Sequence, residues 1–117
     1  MLLELVLPKV HPQMRSATIG LVYANEGAEL KVGTKLMDFT VDLSAAAAHD
    51  CPPIASYRIV IRETAWLRRI AVAPGDEVAV GGLIALFSTQ QDEALDTAPT
   101  RSIRVAIAGI AQPIPWI

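Results

Sequence analysis

Residues 27–39 read GAELKVGTKLMDF, and residues 75–87, which lie 48 positions later (75 minus 27), read GDEVAVGGLIALF. Five of the thirteen aligned positions are identical: Gly27 and Gly75, Glu29 and Glu77, Val32 and Val80, Gly33 and Gly81, and Phe39 and Phe87. Each copy has a glycine at a turn, a second glycine six residues on and then an apolar run, which predicts the same turn and the same strand twice. Because a solenoid needs three or more repeats, two copies predict one β domain with pseudo-twofold internal symmetry.

Alternation of apolar and polar side chains predicts strands along most of the chain. The predicted strands cover residues 2–7, 17–23, 35–41, 57–62, 67–72, 83–88 and 103–107. Two stretches lack this alternation: an Ala-rich segment that ends at Cys51-Pro52-Pro53, and a polar segment that begins at Ser88. We therefore divide the chain into a β domain at 1–88 with an inserted excursion at 44–56, a linker at 89–102, and a C-terminal strand and tail at 103–117.

Composition narrows the classes of function. The formal net charge of -2 does not indicate a basic patch, so we do not expect the protein to bind nucleic acid. Cys51 is the only cysteine, so the chain has neither a disulfide framework nor a pair of thiols for a metal or redox site. No apolar run reaches the eighteen or so residues that span a bilayer. The apolar start contains Glu4 and stops at Pro8, which is untypical of a signal peptide. We expect a cytoplasmic protein without membrane insertion.

Residues 8–19, PKVHPQMRSATI, resemble the opening of the biotinyl/lipoyl attachment domain family. That opening has a Pro-Lys pair, a Met six residues after the Pro and a Gly-Thr-Ile that starts the next strand; Ala17 stands where the family has Gly. Residues 25–33 and 74–86 are similar to the Gly-containing turns of the family's two halves. The resemblance covers roughly residues 5–88. It implies an all-β fold, a flattened barrel of two four-stranded antiparallel sheets.

The resemblance also implies a position for a cofactor. The family carries lipoate or biotin on one lysine at the tip of a tight hairpin between its two halves. Residues 41–44, VDLS, resemble the family's Thr-Asp-Lys-Ala, and Leu43 occupies the position of the lysine. The only lysines in the chain are Lys9, Lys31 and Lys35, and the Met-Lys-Met signature of biotin domains is absent. The excursion that follows Leu43 is also longer than the few residues of a tight hairpin loop. We therefore expect no attached cofactor, and whether any of the three lysines is modified stays open.

The two histidines and the only cysteine do not predict a catalytic site or a metal site. His49, Asp50 and Cys51 are consecutive, and their side chains point apart, so they cannot converge as a nucleophile, a base and its orienting group. His11 and His49 are too few and too far apart to predict a metal site. We predict neither catalytic nor metal-binding residues, and so no enzyme.

Charged and large apolar side chains remain as candidates for binding. Four arginines either bind an anion or form a charged outer face of a sheet that Glu63 balances, and we favour the charged face. These arginines are Arg58, Arg62, Arg68 and Arg69. The apolar candidates for docking to a protein are Leu43, Trp66 and Trp116.

Three functions are compatible with these residues. We favour a non-catalytic, lipoyl-like module that docks in or beside an acyl-transfer multienzyme complex, either a 2-oxo acid dehydrogenase or a biotin-dependent carboxylase. One alternative is a swinging-arm carrier that is modified at an unconventional lysine. The other is a structural adaptor like the unmodified lipoyl domains of membrane fusion proteins, although the excursion is too short for their long helical hairpin. The sequence identifies neither the partner nor the oligomeric state, and it leaves self-association open.

Overall fold

The computed structural model describes residues 1–42 and 54–110, and within these residues the fold is all-β, as predicted. Ten strands follow one another: β1 (Leu2–Val6), β2 (Ser16–Val22), β3 (Glu29–Leu30), β4 (Lys35–Asp42), β5 (Ile54–Ile61), β6 (Ala65–Ile70), β7 (Glu77–Ala79), β8 (Leu83–Ser88), β9 (Arg101–Ser102) and β10 (Val105–Ile110). The described residues contain no helix. β5 begins at Ile54, three residues before the predicted start at Tyr57, and the last strand extends to Ile110.

The strands form two five-stranded sheets, with the orders β3-β6-β8-β1-β9 and β10-β5-β4-β2-β7, called sheet 1 and sheet 2. The prediction of two four-stranded sheets is wrong in this respect. Each sheet gains its fifth strand from the chain beyond residue 88, because β9 pairs with β1 and β10 pairs with β5. Without these two strands, β1 and β5 would be edge strands with unpaired backbone groups.

The repeat is visible in the backbone hydrogen bonds. Ile19 exchanges two bonds with residues 75–76, and Leu67, 48 positions later, exchanges the same two with residues 27–28. The turn of each copy is therefore held by the strand that precedes the other copy. This confirms the prediction that Gly27 and Gly75 occupy equivalent turns.

Both copies of the repeat have two glycines six residues apart, and the backbone conformation explains this spacing. Gly27, Gly33, Gly75 and Gly81 have φ angles of 90°, 93°, 94° and 84°, and no other described residue has a positive φ. A side chain in this region of φ costs roughly 1–2 kcal/mol, whereas glycine adopts it freely. The two identical glycine pairs of the repeat are thus the four positions where the backbone requires them.

Phe39 and Phe87 lie at the centre of the core, and both are 0% exposed. Phe39 on β4 pairs with Ile19 and Tyr57 on its neighbouring strands. Phe87 on β8 pairs with Leu67 and with Leu3. Ile19 and Leu67 are 48 positions apart, so on this side the two phenylalanines have equivalent neighbours, as the repeat predicts. Their neighbours on the other side, Tyr57 and Leu3, are not related by the repeat.

Residues 101–110, which we call the C-terminal strap, pass from one sheet to the other. β9 runs parallel to β1, and β10 runs antiparallel to β5. Between them Ile103 is only 4% exposed and belongs to the core, and its N–H donates to the carbonyl of Glu4. The strap therefore covers the edges of both β1 and β5 and adds an apolar side chain to the interior.

Glu63, in the turn between β5 and β6, binds the strap by three hydrogen bonds. Its carboxylate accepts two bonds of 2.8 Å from the guanidinium of Arg101 and one of 2.7 Å from the backbone N–H of Arg104. The bonds from Arg101 are the main reason that the pKa of Glu63 falls to about 2, although partial burial opposes the shift. Glu63 therefore stays ionised over most of the acidic range.

We expect Glu63→Gln to lower the free energy of unfolding at pH 7 by about 1 kcal/mol, because the ion pair is partly exposed. The folded pKa lies below the reference value of 4.5, so the contribution is complete above pH 4.5 and is lost as the pH falls toward about 2. Urea unfolding of both proteins at pH 7 and near pH 2 measures the difference. Glu29→Gln, at an exposed glutamate on β3, is the control, and an equal difference at both pH values would contradict the assignment.

Candidate functional site

The expected attachment position follows directly on the end of β4. β4 and β5 form an antiparallel pair whose last described partners are Asp42 and Ile54. The eleven residues between them (54 minus 42 minus 1) are residues 43–53, which lie outside the described part of the chain. Leu43 and the run from His49 to Cys51 belong to this segment, and the hypotheses about them stay predictions. The same holds for Trp116, because residues 111–117 also lie outside the described residues.

Lys35 lies at the opposite end of β4 from the expected attachment position. Lys9, Lys31 and Lys35 are all exposed. Lys35 is the first residue of the eight-residue strand β4, and Asp42 is the last. A strand of this length is about 23 Å long from its first Cα to its last. Lys35 therefore does not reach the position that the resemblance assigns to the attachment residue.

An ordered polar cluster lies on the outer face of sheet 2. Arg58 on β5 is directly opposite Asp38 on β4, and its Nε donates to Asp38 Oδ1 at 2.8 Å. The Tyr23 hydroxyl, just after β2, donates to Asp38 Oδ2 and accepts a bond of 3.1 Å from Arg58 Nη2. We call the surface formed by Leu21, Tyr23, Lys35, Asp38 and Arg58 the Tyr23 face.

Two cations approach the aromatic ring of the Tyr23 face. Arg58 Cζ lies 5.3 Å and Lys35 Nζ 5.9 Å from the centroid of the Tyr23 ring. Cations at this distance from an aromatic face are attracted by its quadrupole. Tyr23 is nevertheless 40% exposed, and Leu21 is 63% exposed. The face thus combines a fixed aromatic side chain with an apolar one that is open to contact.

Asp38, Tyr23 and Arg58 each have a pKa that is shifted away from neutral pH, so each keeps its ordinary charge. Burial raises the pKa of Asp38, but hydrogen bonds from Arg58 and Tyr23 outweigh this and leave the pKa below its usual value. The bond to Asp38 raises the pKa of the Tyr23 hydroxyl and, in the same way, that of Arg58. Near pH 7 the cluster consists of a carboxylate, a neutral phenol and a guanidinium. None of these three groups has a pKa that is shifted toward neutral pH.

Sequence reasoning placed Arg58 on an outer face but missed Tyr23, Asp38 and Gly20. A Cβ atom on Gly20 would lie 3.3 Å from the carbonyl oxygen of Asp38 and 3.7 Å from its Cβ. Glycine therefore leaves room for Asp38 beside β2. The opposite charges of Asp38 and Arg58, on two successive predicted strands, could have suggested this pair. They predict a contact only when the register of the two strands is known.

The four arginines do not form one site. Arg58 lies on sheet 2, whereas Arg68 and Arg69 lie on β6 in sheet 1. Arg68 donates to the Ser88 hydroxyl at 3.2 Å and to the backbone carbonyl of Glu93. The expectation that Glu63 balances these arginines is also wrong, since Glu63 pairs with Arg101 and Arg58 pairs with Asp38. The cause is topology, because β5 and β6 are consecutive in sequence but belong to different sheets.

Trp66 is the docking candidate that the structure describes. It lies on β6, where it pairs with Glu29 on β3 and with Ser88 on β8. Its side chain is half-buried, between the fully buried Ala65 and Leu67. It contributes to the outer surface of sheet 1, away from the Tyr23 face on sheet 2, and its role in docking stays a prediction.

The described residues contain no group of three or more His, Cys, Asp or Glu side chains that could hold a metal ion. Within residues 1–42 and 54–110, no helix has the length and apolar character that crossing a membrane requires. No protein-family model matches the chain, and no curated protein matches it.

Proposed function

We propose that this chain is a non-catalytic lipoyl-like module that carries no lipoate or biotin and acts by docking to protein. The partner is a component of an acyl-transfer multienzyme complex, a 2-oxo acid dehydrogenase or a biotin-dependent carboxylase, in the cytoplasm. The proposal of docking rests on the Tyr23 face, where hydrogen bonds with Asp38 and Arg58 hold an exposed tyrosine in place.

Strand exchange supports the lipoyl-like fold in this proposal. β1, which precedes the first copy of the repeat, pairs with β8 at the end of the second copy. β5, which precedes the second copy, pairs with β4 at the end of the first. This reciprocal pairing is what a flattened barrel built from two interlocked halves requires. In such a fold the β4–β5 connection carries the modified lysine, and the residue after Asp42 is Leu43.

The composition of the Tyr23 face supports docking. Tyrosine and arginine are enriched among the residues that dominate binding energy at protein interfaces. Fixing a free side chain on binding costs roughly 0.5–1.5 kcal/mol. Arg58 is already held by two hydrogen bonds to Asp38, at 2.8 and 3.2 Å, so much of that cost is met before a partner arrives. Leu21, which lies on β2 two residues before Tyr23, adds exposed apolar area.

We expect the purified chain to bind one of two purified assemblies from the same cells, a 2-oxo acid dehydrogenase complex or a biotin-dependent carboxylase. Tyr23→Ala and Arg58→Ala should each weaken that binding by about 2 kcal/mol, or roughly thirtyfold in Kd, as is typical of residues at the centre of an interface. Isothermal titration calorimetry with each assembly measures the change.

Arg69→Ala is the matched control, because Arg69 is an exposed arginine on the other sheet. Binding to neither assembly, or an equal loss with Arg69→Ala, would contradict the proposal. The intact mass of the chain after co-expression with a lipoate or biotin ligase tests the carrier alternative. A mass increase of one acyl group would favour that alternative, and its candidate sites are the exposed Lys9, Lys31 and Lys35.

A further inference from the structure

The four outermost strands of the two sheets differ in length. Within the described residues, β3 and β9 have two residues each, β7 has three, and β10 has six. Proteins protect their sheet edges with very short strands, with charged side chains or with proline, because an open edge pairs readily with another strand. Three of the four edges here are protected by their shortness, and β10 is not.

The sequence of β10 also lacks the other protective features. It reads VAIAGI, which includes no charged residue and no proline. Val105 and Ile107 pack against the core, while Ala108 and Gly109 are exposed. Among the described residues, β10 pairs only with β5. Within the part of the chain that the structure describes, its other edge therefore presents an unpaired row of backbone donors and acceptors without charged side chains.

The hydrogen-bond pattern shows which residues present these groups. Arg62 N–H donates to the Arg104 carbonyl, and the register of β10 with β5 continues from this pair without a shift. In an antiparallel ladder, hydrogen-bonded pairs alternate with non-bonded pairs. Residues 106, 108 and 110 therefore direct their backbone groups toward β5. The N–H and C=O groups of Val105, Ile107 and Gly109 point to the open edge.

We propose that this edge pairs with β10 of a second copy of the chain, antiparallel and centred on Ile107. In this register Ile107 lies opposite Ile107 of the second copy, and Val105 lies opposite Gly109. The three residues with outward-pointing groups form three mutual pairs, with two hydrogen bonds at each. The two copies of sheet 2 then form one continuous sheet.

The edge itself favours a second copy over an unrelated strand. The outward groups are spaced symmetrically about Ile107, which a twofold axis requires. The branched side chain of Val105 meets a glycine, and Ala106 meets Ala108, so the opposed side chains do not collide. Arg104 falls opposite Ile110, so no like charges are brought together. An uncharged edge also lacks the side chains that would select a charged partner.

Gly109→Pro in the full chain tests this inference. By the alternation above, the Gly109 N–H points to the open edge, so proline removes a donor from the dimer but none from the ladder with β5. We expect the wild-type chain, of 12.5 kDa, to reach twice this mass in sedimentation equilibrium as its concentration rises. The Gly109→Pro variant should stay at the mass of one chain. Gly109→Ala is the control, because a Cβ at this position meets no atom within 4 Å and the N–H is retained; it should behave as wild type.

Amide hydrogen exchange of the wild-type protein gives a second test that needs no variant. The amides of Val105, Ile107 and Gly109 should become more protected as the protein concentration rises. Those of Ala106 and Ala108 should be protected at every concentration, since they bond to β5. A single-chain mass for the wild type at all concentrations, or a dimer of Gly109→Pro, would overturn the inference. So would exchange at Ile107 that does not change with concentration. The inference does not depend on the proposed docking function.

Discussion

Replacing Phe87 with alanine is expected to lower the free energy of unfolding by about 3–5 kcal/mol, and replacing Phe39 should lower it by a similar amount. Both side chains are completely buried on the final strand of their copy of the repeat. Each truncation removes apolar contact area and leaves a cavity that the surrounding strands cannot fill. Chemical denaturation of the two variants and the wild type measures both losses.

Leu83→Ala is the control for this pair, because Leu83 is an exposed apolar residue on the same strand as Phe87. It should change stability by no more than about 0.5–1 kcal/mol. If one phenylalanine could be truncated at little cost while the other could not, the two halves would be equivalent in geometry but not in energy. That result would contradict the view that both copies contribute equally to one core.

Ile103→Ala is expected to lower the free energy of unfolding by about 2–5 kcal/mol, although Ile103 lies outside the repeat. Its side chain is part of the core between the two sheets, and its N–H is bonded to Glu4. Its truncation should also loosen the strap and increase amide exchange in β10. Denaturation gives the loss of stability, and hydrogen exchange of residues 105–110 locates it.

Ile54→Ala provides the comparison, since Ile54 is an exposed isoleucine at the start of β5. Its effect should be small. A small effect of Ile103→Ala as well would show that the strap merely lies against a β domain that is stable without it. In that case the strand exchange between the two copies would be sufficient for the fold.

The repeat made much of this fold predictable from sequence. Glycines at 27, 33, 75 and 81 mark local backbone conformations, and a local conformation depends on few neighbours. Strands with strict alternation, such as β5 with Ile59 and Ile61 inside and Arg58 outside, follow from the same kind of local rule. The prediction of the same strand in both copies succeeded, with Phe39 and Phe87 at equivalent buried positions, because the repeat applies the same local rules twice.

The features that the sequence did not predict depend on the pairing of strands that are distant in the chain. The short strands β3, β7 and β9 have too few residues for a periodic signal. The strap adds a strand to each sheet, but its alternation does not say which edges it covers. The Tyr23 face depends on the register that sets Asp38 opposite Arg58, and a shift of one residue would move Arg58 to the inner face. The candidate site was therefore less predictable than the fold.

The pairing of β1 with β8 determines when the protein can fold during its synthesis. Leu3 is synthesised 84 residues before its partner Phe87 (87 minus 3). Until then β1, with Leu3 and Leu5 in its apolar set, has no strand to join. Pairings between such distant residues slow folding, because a long loop must close before any contact rewards it. The interlocked halves thus delay the completion of sheet 1 until β8 has been synthesised, and the nascent chain must keep β1 soluble until that point.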